Sequence, residues 1–146
     1  MYSRQPILSI ITVNYNNNKG LMKTLESVKK QTFPLYEHII IDANSTDGSK
    51  ETILKYEKEN PHLTFWSSEP DKGIYDGMNK GIKKAKGEYL YFLNSGDNLT
   101  EDVLLKISFD NTKYIYGNIR FTGGRKNREE KAVSYTHLRA HETCAD

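Results

Sequence analysis

Two aspartates stand where a parallel sheet would put its chemistry. Asp42 closes the apolar run His38-Ile39-Ile40-Ile41, and Asp97 closes the polar corner Asn94-Ser95-Gly96 behind a second apolar run. A carboxylate at a strand end, beside a helix start, can bond a ribose or a base, or hold a hard cation. Mg²⁺ or Mn²⁺ at such a site neutralises a pyrophosphate as it leaves. The same aspartates would also serve as plain turn and cap residues, where Asp is common. Pattern alone leaves both readings open.

A third polar stretch runs Asp71-Lys72-Gly73-Ile74-Tyr75-Asp76-Gly77-Met78-Asn79-Lys80-Gly81. It contains neither a G-x-x-x-x-G-K-[ST] loop nor a G-x-G-x-x-G turn. Lys72 supplies a cation and Asn79 a polar donor for an anionic ligand. Gly77 and Gly81 lie four residues apart on one helix face. That spacing suits close packing on a sheet as well as close approach to a ligand.

The elements that must position these residues alternate. Ile7–Val13 reads as a strand buried on both faces. Lys19–Gln31 carries Leu21, Met22, Leu25 and Val28 at helical spacing, with Pro34 as a stop. His38–Asp42 is a second buried strand. Ser49–Asn60 reads as a helix with Ile53, Leu54 and Tyr56 inward. Leu63–Ser67 is a third strand. Tyr75–Lys86 is a helix whose stripe is Ile74, Met78, Ile82 and Ala85. Glu88–Leu93 is a fourth strand, Val103–Ile107 a short helix, and Tyr114–Phe121 a further strand. This order predicts a mainly parallel α/β sheet with helices on both faces. Function in such folds sits at the carboxyl ends of the strands. The clusters Thr12–Asn16, Asp42–Ser45, Ser67–Lys72 and Asn94–Asp97 are therefore expected to meet along one edge.

The set of pieces resembles glycosyltransferase family 2, in particular bacterial polysaccharide-biosynthesis members of the colanic-acid type. The pieces are Ser9-Ile10-Ile11-Thr12-Val13-Asn14-Tyr15-Asn16; Ser27-Val28 with Gln31-Thr32; Ile41-Asp42-Ala43-Asn44-Ser45-Thr46-Asp47-Gly48-Ser49; Ser68-Glu69-Pro70-Asp71-Lys72-Gly73-Ile74-Tyr75-Asp76; Met78-Asn79-Lys80-Gly81; Gly87-Glu88-Tyr89; and Phe92-Leu93-Asn94-Ser95-Gly96-Asp97. They keep their order from about Pro6 to Thr100. The resemblance implies a Rossmann-like GT-A fold that binds a nucleotide sugar. It implies that Thr12, Asn14, Tyr15 and Asn16 form the nucleotide-contacting loop. Asp42 would recognise the base or ribose, with Asn44 and Ser45 beside it. Asp71 and Lys72 would close over the nucleotide and donor, with Gly73 and Asn79 as further binding residues. Asp97 would be the last carboxylate of the metal motif, binding Mn²⁺ or Mg²⁺ across the diphosphate. The implied partners are a UDP- or GDP-sugar donor and a saccharide or lipid-linked acceptor, with transfer inverting at the anomeric carbon.

Departures are visible. The metal corner reads Asn-Ser-Gly-Asp where the family often has Asp-x-Asp-Asp, which leaves one carboxylate. Ala43 stands where many relatives carry a second acid. Inverting members draw a general base from their later half. The acids after Asp97 form no such motif, and Glu101 and Asp102 read as first-turn helix acids. No catalytic base is assigned, and the chain is expected to bind donor without completing transfer alone. The rival readings are a non-catalytic nucleotide-binding module and a sugar nucleotidyltransferase. The latter usually opens with a Gly-rich basic loop, whereas Asn16-Asn17-Asn18-Lys19 stands here. A glycoside hydrolase needs a spaced carboxylate pair, and nothing singles one out.

Bulk properties set the limits. The 146 residues are 36% hydrophobic and 27% charged, with a net charge of +2. That balance suits one globular domain and carries no bulk signal for nucleic acid. The domain is expected over residues 6–122. A single cysteine, Cys144, fits a reducing compartment. No leader or spanning run is evident, so a cytoplasmic site is expected, with peripheral contact at the inner face of the plasma membrane. The basic run Arg120, Arg125, Lys126 and Arg128 reads as a solvated loop or as a contact for an acidic membrane or lipid diphosphate. His137, His141 and Cys144 have zinc-like spacing that reads as chance. They lie in the segment 133–146, which resembles translated adaptor sequence and is expected to be non-native.

Overall fold

The computed structural model describes residues 5–110 in full and the backbone of two later strands, 114–121 and 128–136. The element order is β1 (Leu8–Asn14), α1 (Asn18–Lys29), β2 (Tyr36–Asp42), α2 (Ser49–Glu59), β3 (Leu63–Ser68), α3 (Ile74–Lys84), β4 (Tyr89–Phe92), a short 3-10 helix (Val103–Lys106), β5 (Tyr114–Phe121) and β6 (Arg128–Thr136). One six-stranded sheet has the order β3-β2-β1-β4-β6-β5. The first four strands are parallel, and β6 runs antiparallel to both β4 and β5.

Handedness decides where the helices go. The chain steps from β1 to β2 to β3 in one direction, then returns across β1 to β4. Right-handed crossovers put α1 and α2 on one face and α3 on the other. The packing agrees. Leu21 and Leu25 of α1 meet Ile40 of β2 and Ile53 and Tyr56 of α2. Val28 packs with Leu8, Ile10 and Tyr36. On the opposite face Ile82 and Ala85 pack on Ile11, Ile39 and Ile41. Both faces of β1 and β2 are covered, so all seven residues of each strand are buried. Each fully buried Leu or Ile contributes roughly 1.5–3 kcal/mol over its exposed state.

The two helical glycines pack tightly. A Cβ on Gly81 would lie 2.4 Å from Ile11 Cγ2, and one on Gly77 would lie 2.9 Å from Val13 Cγ1. Only glycine lets α3 sit this close to β1.

Several local expectations differ from the structure. Met22, Leu54 and Ile74 point outward and are exposed. In each helix the neighbouring apolar positions already fill the contact with the sheet. The strand β6 was not expected, because its polar, charged sequence lacks the alternation that marks a half-buried strand. Its backbone nonetheless pairs with β5 from Tyr114↔Thr136 to Phe121↔Arg128. That pairing carries Val133–Thr136, the start of the segment expected to be non-native. Arg125, Lys126, His137, His141 and Cys144 lie outside the described residues. Among the described residues no helix is long and apolar enough to cross a membrane.

Candidate functional site

The order of the sheet reverses between β1 and β4, and a doubly wound fold opens a crevice at such a point. A cleft of about 640 Å³ lies there. It is lined by Val13, Tyr15 and Asn17 after β1, Ala43 and Asn44 after β2, Pro70, Asp71, Gly73 and Ile74 between β3 and α3, and Asn94 and Ser95 after β4. All four expected strand ends therefore meet in one place.

The floor of the cleft is organised by Asp42. Its carboxylate is fully buried. Oδ1 accepts from Asn14 Nδ2 at 2.7 Å and Ser45 Oγ at 2.6 Å. Oδ2 accepts from the Ser45 backbone N–H at 2.8 Å and Ser68 Oγ at 2.7 Å. Burial pushes its pKa up, but the hydrogen bonds from Ser45, Ser68 and Asn14 outweigh burial and hold it below the usual carboxylate value. Four donors use the acceptor capacity of a carboxylate. Asp42 thus ties the ends of β1, β2 and β3 together from beneath.

Above it, Asn16 and Asn44 take left-handed backbone conformations, with φ of 45° and 60°. Asn tolerates this region better than most residues. The Asn16 N–H donates to Ser45 Oγ, and the Thr46 N–H donates to Asn16 Oδ1, each at 2.8 Å. The β1 and β2 exit loops are thereby locked to each other.

Two N–H groups at the amino end of α1 bond side-chain oxygens. The Asn18 N–H donates to Asp47 Oδ2 at 2.8 Å, and the Gly20 N–H donates to Asn17 Oδ1 at 3.3 Å. In dinucleotide-binding sheets a pyrophosphate takes this place. Here the Asp47 carboxylate takes the Asn18 N–H at that end.

The far wall holds unpaired oxygens. Asp71 Oδ1 accepts from the Gly73 N–H at 2.9 Å, while its Oδ2 is buried with no partner. Asn94 Oδ1 is likewise buried without a partner. A buried acceptor left open costs roughly 1–3 kcal/mol until something donates to it. Three residues on from Asn94, Asp97 lies on an exposed corner. Among the described residues no group donates to its carboxylate, and desolvation pushes its pKa above the usual value.

The structure brings together most of the sequence-predicted residues. Tyr15, Asn44, Asp71 and Gly73 line the cleft. Asn14, Asn16, Asp42 and Ser45 form the network beneath and beside it. Thr12 is fully buried, and its hydroxyl bonds to His38 Nε2 at 2.7 Å. It is part of the core rather than of the lining. Lys72, Asn79 and Asp97 are exposed and are not among the lining residues. Of the remaining lining residues, Asn17 and Ile74 lie outside the strand-end clusters expected at this edge; Val13, Ala43, Pro70, Asn94 and Ser95 lie within them but were not singled out as binding residues.

Asp97 and the Asn94 oxygen are hard oxygen donors, suited in kind to Mg²⁺ or Mn²⁺. Among the described residues no group of three or more His, Cys, Asp or Glu side chains is placed to hold a metal. A cation here would need further oxygens from a bound ligand and water, which a diphosphate supplies.

Comparison with known proteins gives a consistent picture. A family model described as glycosyl transferase family 2 matches residues 9–142. An uncharacterized glycosyltransferase of Mycobacterium tuberculosis, Rv1514c, is 42% identical over 93 residues, covering 63% of this chain and 34% of that protein. The putative teichuronic acid biosynthesis glycosyltransferase TuaG of Bacillus subtilis is 35% identical over 106 residues, covering 73% of this chain and 42% of that protein. Among solved structures, S. aureus TarS 1–349 in complex with UDP-GlcNAc superimposes with a TM-score of 0.60 at 30% identity, over 68% of this chain and 29% of that one. The mannosyltransferase PcManGT from Pyrobaculum calidifontis, in complex with GDP-Man and Mn²⁺, shares the fold, with a TM-score of 0.63 at 20% identity over 70% of this chain and 31% of that one. The chain spans between about a third and two-fifths of the length of the two curated relatives.

Proposed function

The chain belongs to glycosyl transferase family 2, and on that premise we propose that it forms the donor-binding part of a glycosyltransferase of cell-surface polysaccharide biosynthesis. The donor is a UDP- or GDP-sugar, and the acceptor a saccharide or a lipid-linked saccharide. The observation that carries the reading is the convergence of four strand ends on one cleft, with the buried acceptors of Asp71 and Asn94 left open in its wall. Relatives and neighbours lend support: one relative is a putative teichuronic acid biosynthesis glycosyltransferase, and two solved structures of the same fold hold UDP-GlcNAc and GDP-Man.

Each residue has a task in this reading. Tyr15 offers an exposed ring at the mouth of the cleft, suited to lie against a base. Asn44, held in its left-handed turn, presents polar groups to the nucleoside. Asp42 holds Asn14 and Ser45 in place rather than spending lone pairs on the ligand. The open oxygens of Asp71 and Asn94 accept from sugar hydroxyls. Asp97 provides the carboxylate for a divalent cation, which when bound neutralises the diphosphate as it leaves. A nucleoside diphosphate that departs with its charge compensated lowers the barrier to sugar transfer. No residue of this chain is assigned as the base that deprotonates the acceptor.

Calorimetric titration of the protein with UDP and with GDP tests the proposal. Binding of one of them that strengthens when Mn²⁺ is added is expected. Equal and negligible heats with and without the metal for both nucleotides would remove the donor-site reading.

A further inference from the structure

The helix α1 does more than cover the sheet. Beside its apolar stripe of Leu21, Leu25 and Val28 it carries a polar one, made by Thr24 and Ser27 and continued past both ends by Asn17 and Gln31. Each of these side chains bonds the backbone of segment 94–104. Asn17 Nδ2 donates to the Ser95 carbonyl at 3.2 Å. The Gly96 N–H donates to Thr24 Oγ1 at 2.9 Å, and Thr24 Oγ1 donates to the Asp97 carbonyl at 2.7 Å. The Leu99 N–H donates to Ser27 Oγ at 3.1 Å. Gln31 Nε2 donates to the Glu101 carbonyl, and the Leu104 N–H donates to Gln31 Oε1 at 3.0 Å. Thr24 is fully buried, so its hydroxyl does not exchange these bonds for water.

The segment needs such a partner. It leaves β4 without regular structure, turns at Gly96 with φ of 101°, and has no strand or helix of its own until Val103. A carboxylate on an irregular loop holds a cation only if the backbone beneath it is fixed, since precise sites require a support for the ligating residue. Two bonds of the ladder, both made by Thr24 Oγ1, grip the residues on either side of the Gly96–Asp97 peptide.

We propose that the polar stripe of α1 is the positioning element of the cation corner, and that Thr24 is the positioning residue for Asp97. The inference rests on the donor-site reading above. It adds that the corner's competence is set by a buried hydroxyl that touches neither nucleotide nor metal.

The test compares Thr24→Val, Thr24→Ser and Ser27→Ala with the parent protein. UDP affinity is measured by calorimetry with and without Mn²⁺, and amide hydrogen exchange is followed without ligand. Thr24→Val is expected to cut the Mn²⁺-dependent gain in UDP affinity by about 10- to 100-fold, the range typical of lost outer-sphere support. Its metal-free UDP affinity should stay within about twofold of the parent, and Thr24→Ser should restore the gain. An undiminished gain in Thr24→Val overturns the proposal. So does an equal loss with and without metal, which would mark a merely structural residue. If the parent shows no Mn²⁺-dependent gain with UDP or with GDP in its place, the donor-site reading fails. The positioning claim is then judged by exchange alone: Thr24→Val must speed exchange at Gly96 while β1 and β2 stay protected, and unchanged protection at Gly96 refutes it. If Thr24→Val shows no cooperative unfolding transition, Ser27→Ala decides. Faster exchange at Leu99 with a reduced Mn²⁺ gain supports the proposal, and no change in either overturns it.

Discussion

Asp42 and His38 show how individual residues have been turned toward structure. Asp42 is surrounded by donors from three strand ends. His38 is fully buried between Thr12 Oγ1 and the Tyr56 hydroxyl, each at 2.7 Å from a ring nitrogen. Both partners are hydroxyls that can donate or accept, so either neutral tautomer is satisfied. Burial lowers the His38 pKa from 6.5 to about 3. The sign follows from linkage. The unfolded chain takes up a proton near pH 6.5 that the folded chain refuses until about pH 3, so this stabilisation is complete above pH 6.5 and is lost as pH falls below it. Asp42 acts in the same direction at lower pH, because its depressed pKa gives stability that is lost as pH falls through the carboxylate range. One histidine accounts for a slope of at most about 1.4 kcal/mol per pH unit. Urea unfolding between pH 6 and pH 5 should show the parent losing stability more steeply than His38→Gln. Parallel slopes would mean that His38 is already protonated in the fold. These roles were hard to read in the sequence. Asp42 was visible as a strand-end acid, but its four donors come from residues 14, 45 and 68 and meet only in the folded sheet. Thr12 belonged to a motif and was expected at the ligand, yet strand alternation turns it toward His38.

The elements were more legible than their contacts. Continuous apolar runs marked β1 and β2, since only strands covered on both faces can carry them. The range Tyr114–Phe121 for β5 also matched. Its partner β6 did not declare itself, because a polar strand is recruited by tertiary pairing rather than by its own propensity. Gly77 and Gly81 left two explanations open, and the geometry decides for packing. Replacing a helical glycine with alanine ordinarily stabilises by about 1 kcal/mol. At Gly81 the new methyl would meet Ile11 Cγ2 at 2.4 Å inside a closed core. Overpacking of that kind costs about 1–3 kcal/mol, so Gly81→Ala should lower the urea midpoint. A raised midpoint would show that α3 can lift from β1 without loss. The polar stripe of α1 belongs to this scale too. Ser27 and Gln31 were recognisable as motif residues, but nothing along the chain says that they hold a segment about 70 residues away.

At the scale of the whole molecule, topology makes the site. The order β3-β2-β1-β4 reverses at β1, so residues from four separate turns surround one crevice. That convergence could be anticipated from the strand–helix alternation alone, and the family assignment agrees with it. What the alternation could not show is that Asp47 bonds the Asn18 N–H at the amino end of α1, the position where dinucleotide-binding sheets hold a pyrophosphate. In the proposed function, charge compensation for a diphosphate falls to the corner after β4, where Asp97 carries the carboxylate. The most direct measurement is therefore UDP binding with and without Mn²⁺ by the parent and by Asp97→Ala, with circular dichroism and unfolding curves recorded for both. The parent should gain affinity from Mn²⁺ and Asp97→Ala should lose this gain, while its fold and unfolding midpoint stay close to the parent's, because the residue sits on an exposed corner. An Asp97→Ala protein that keeps its Mn²⁺-dependent gain would rule out Asp97 as the cation's carboxylate.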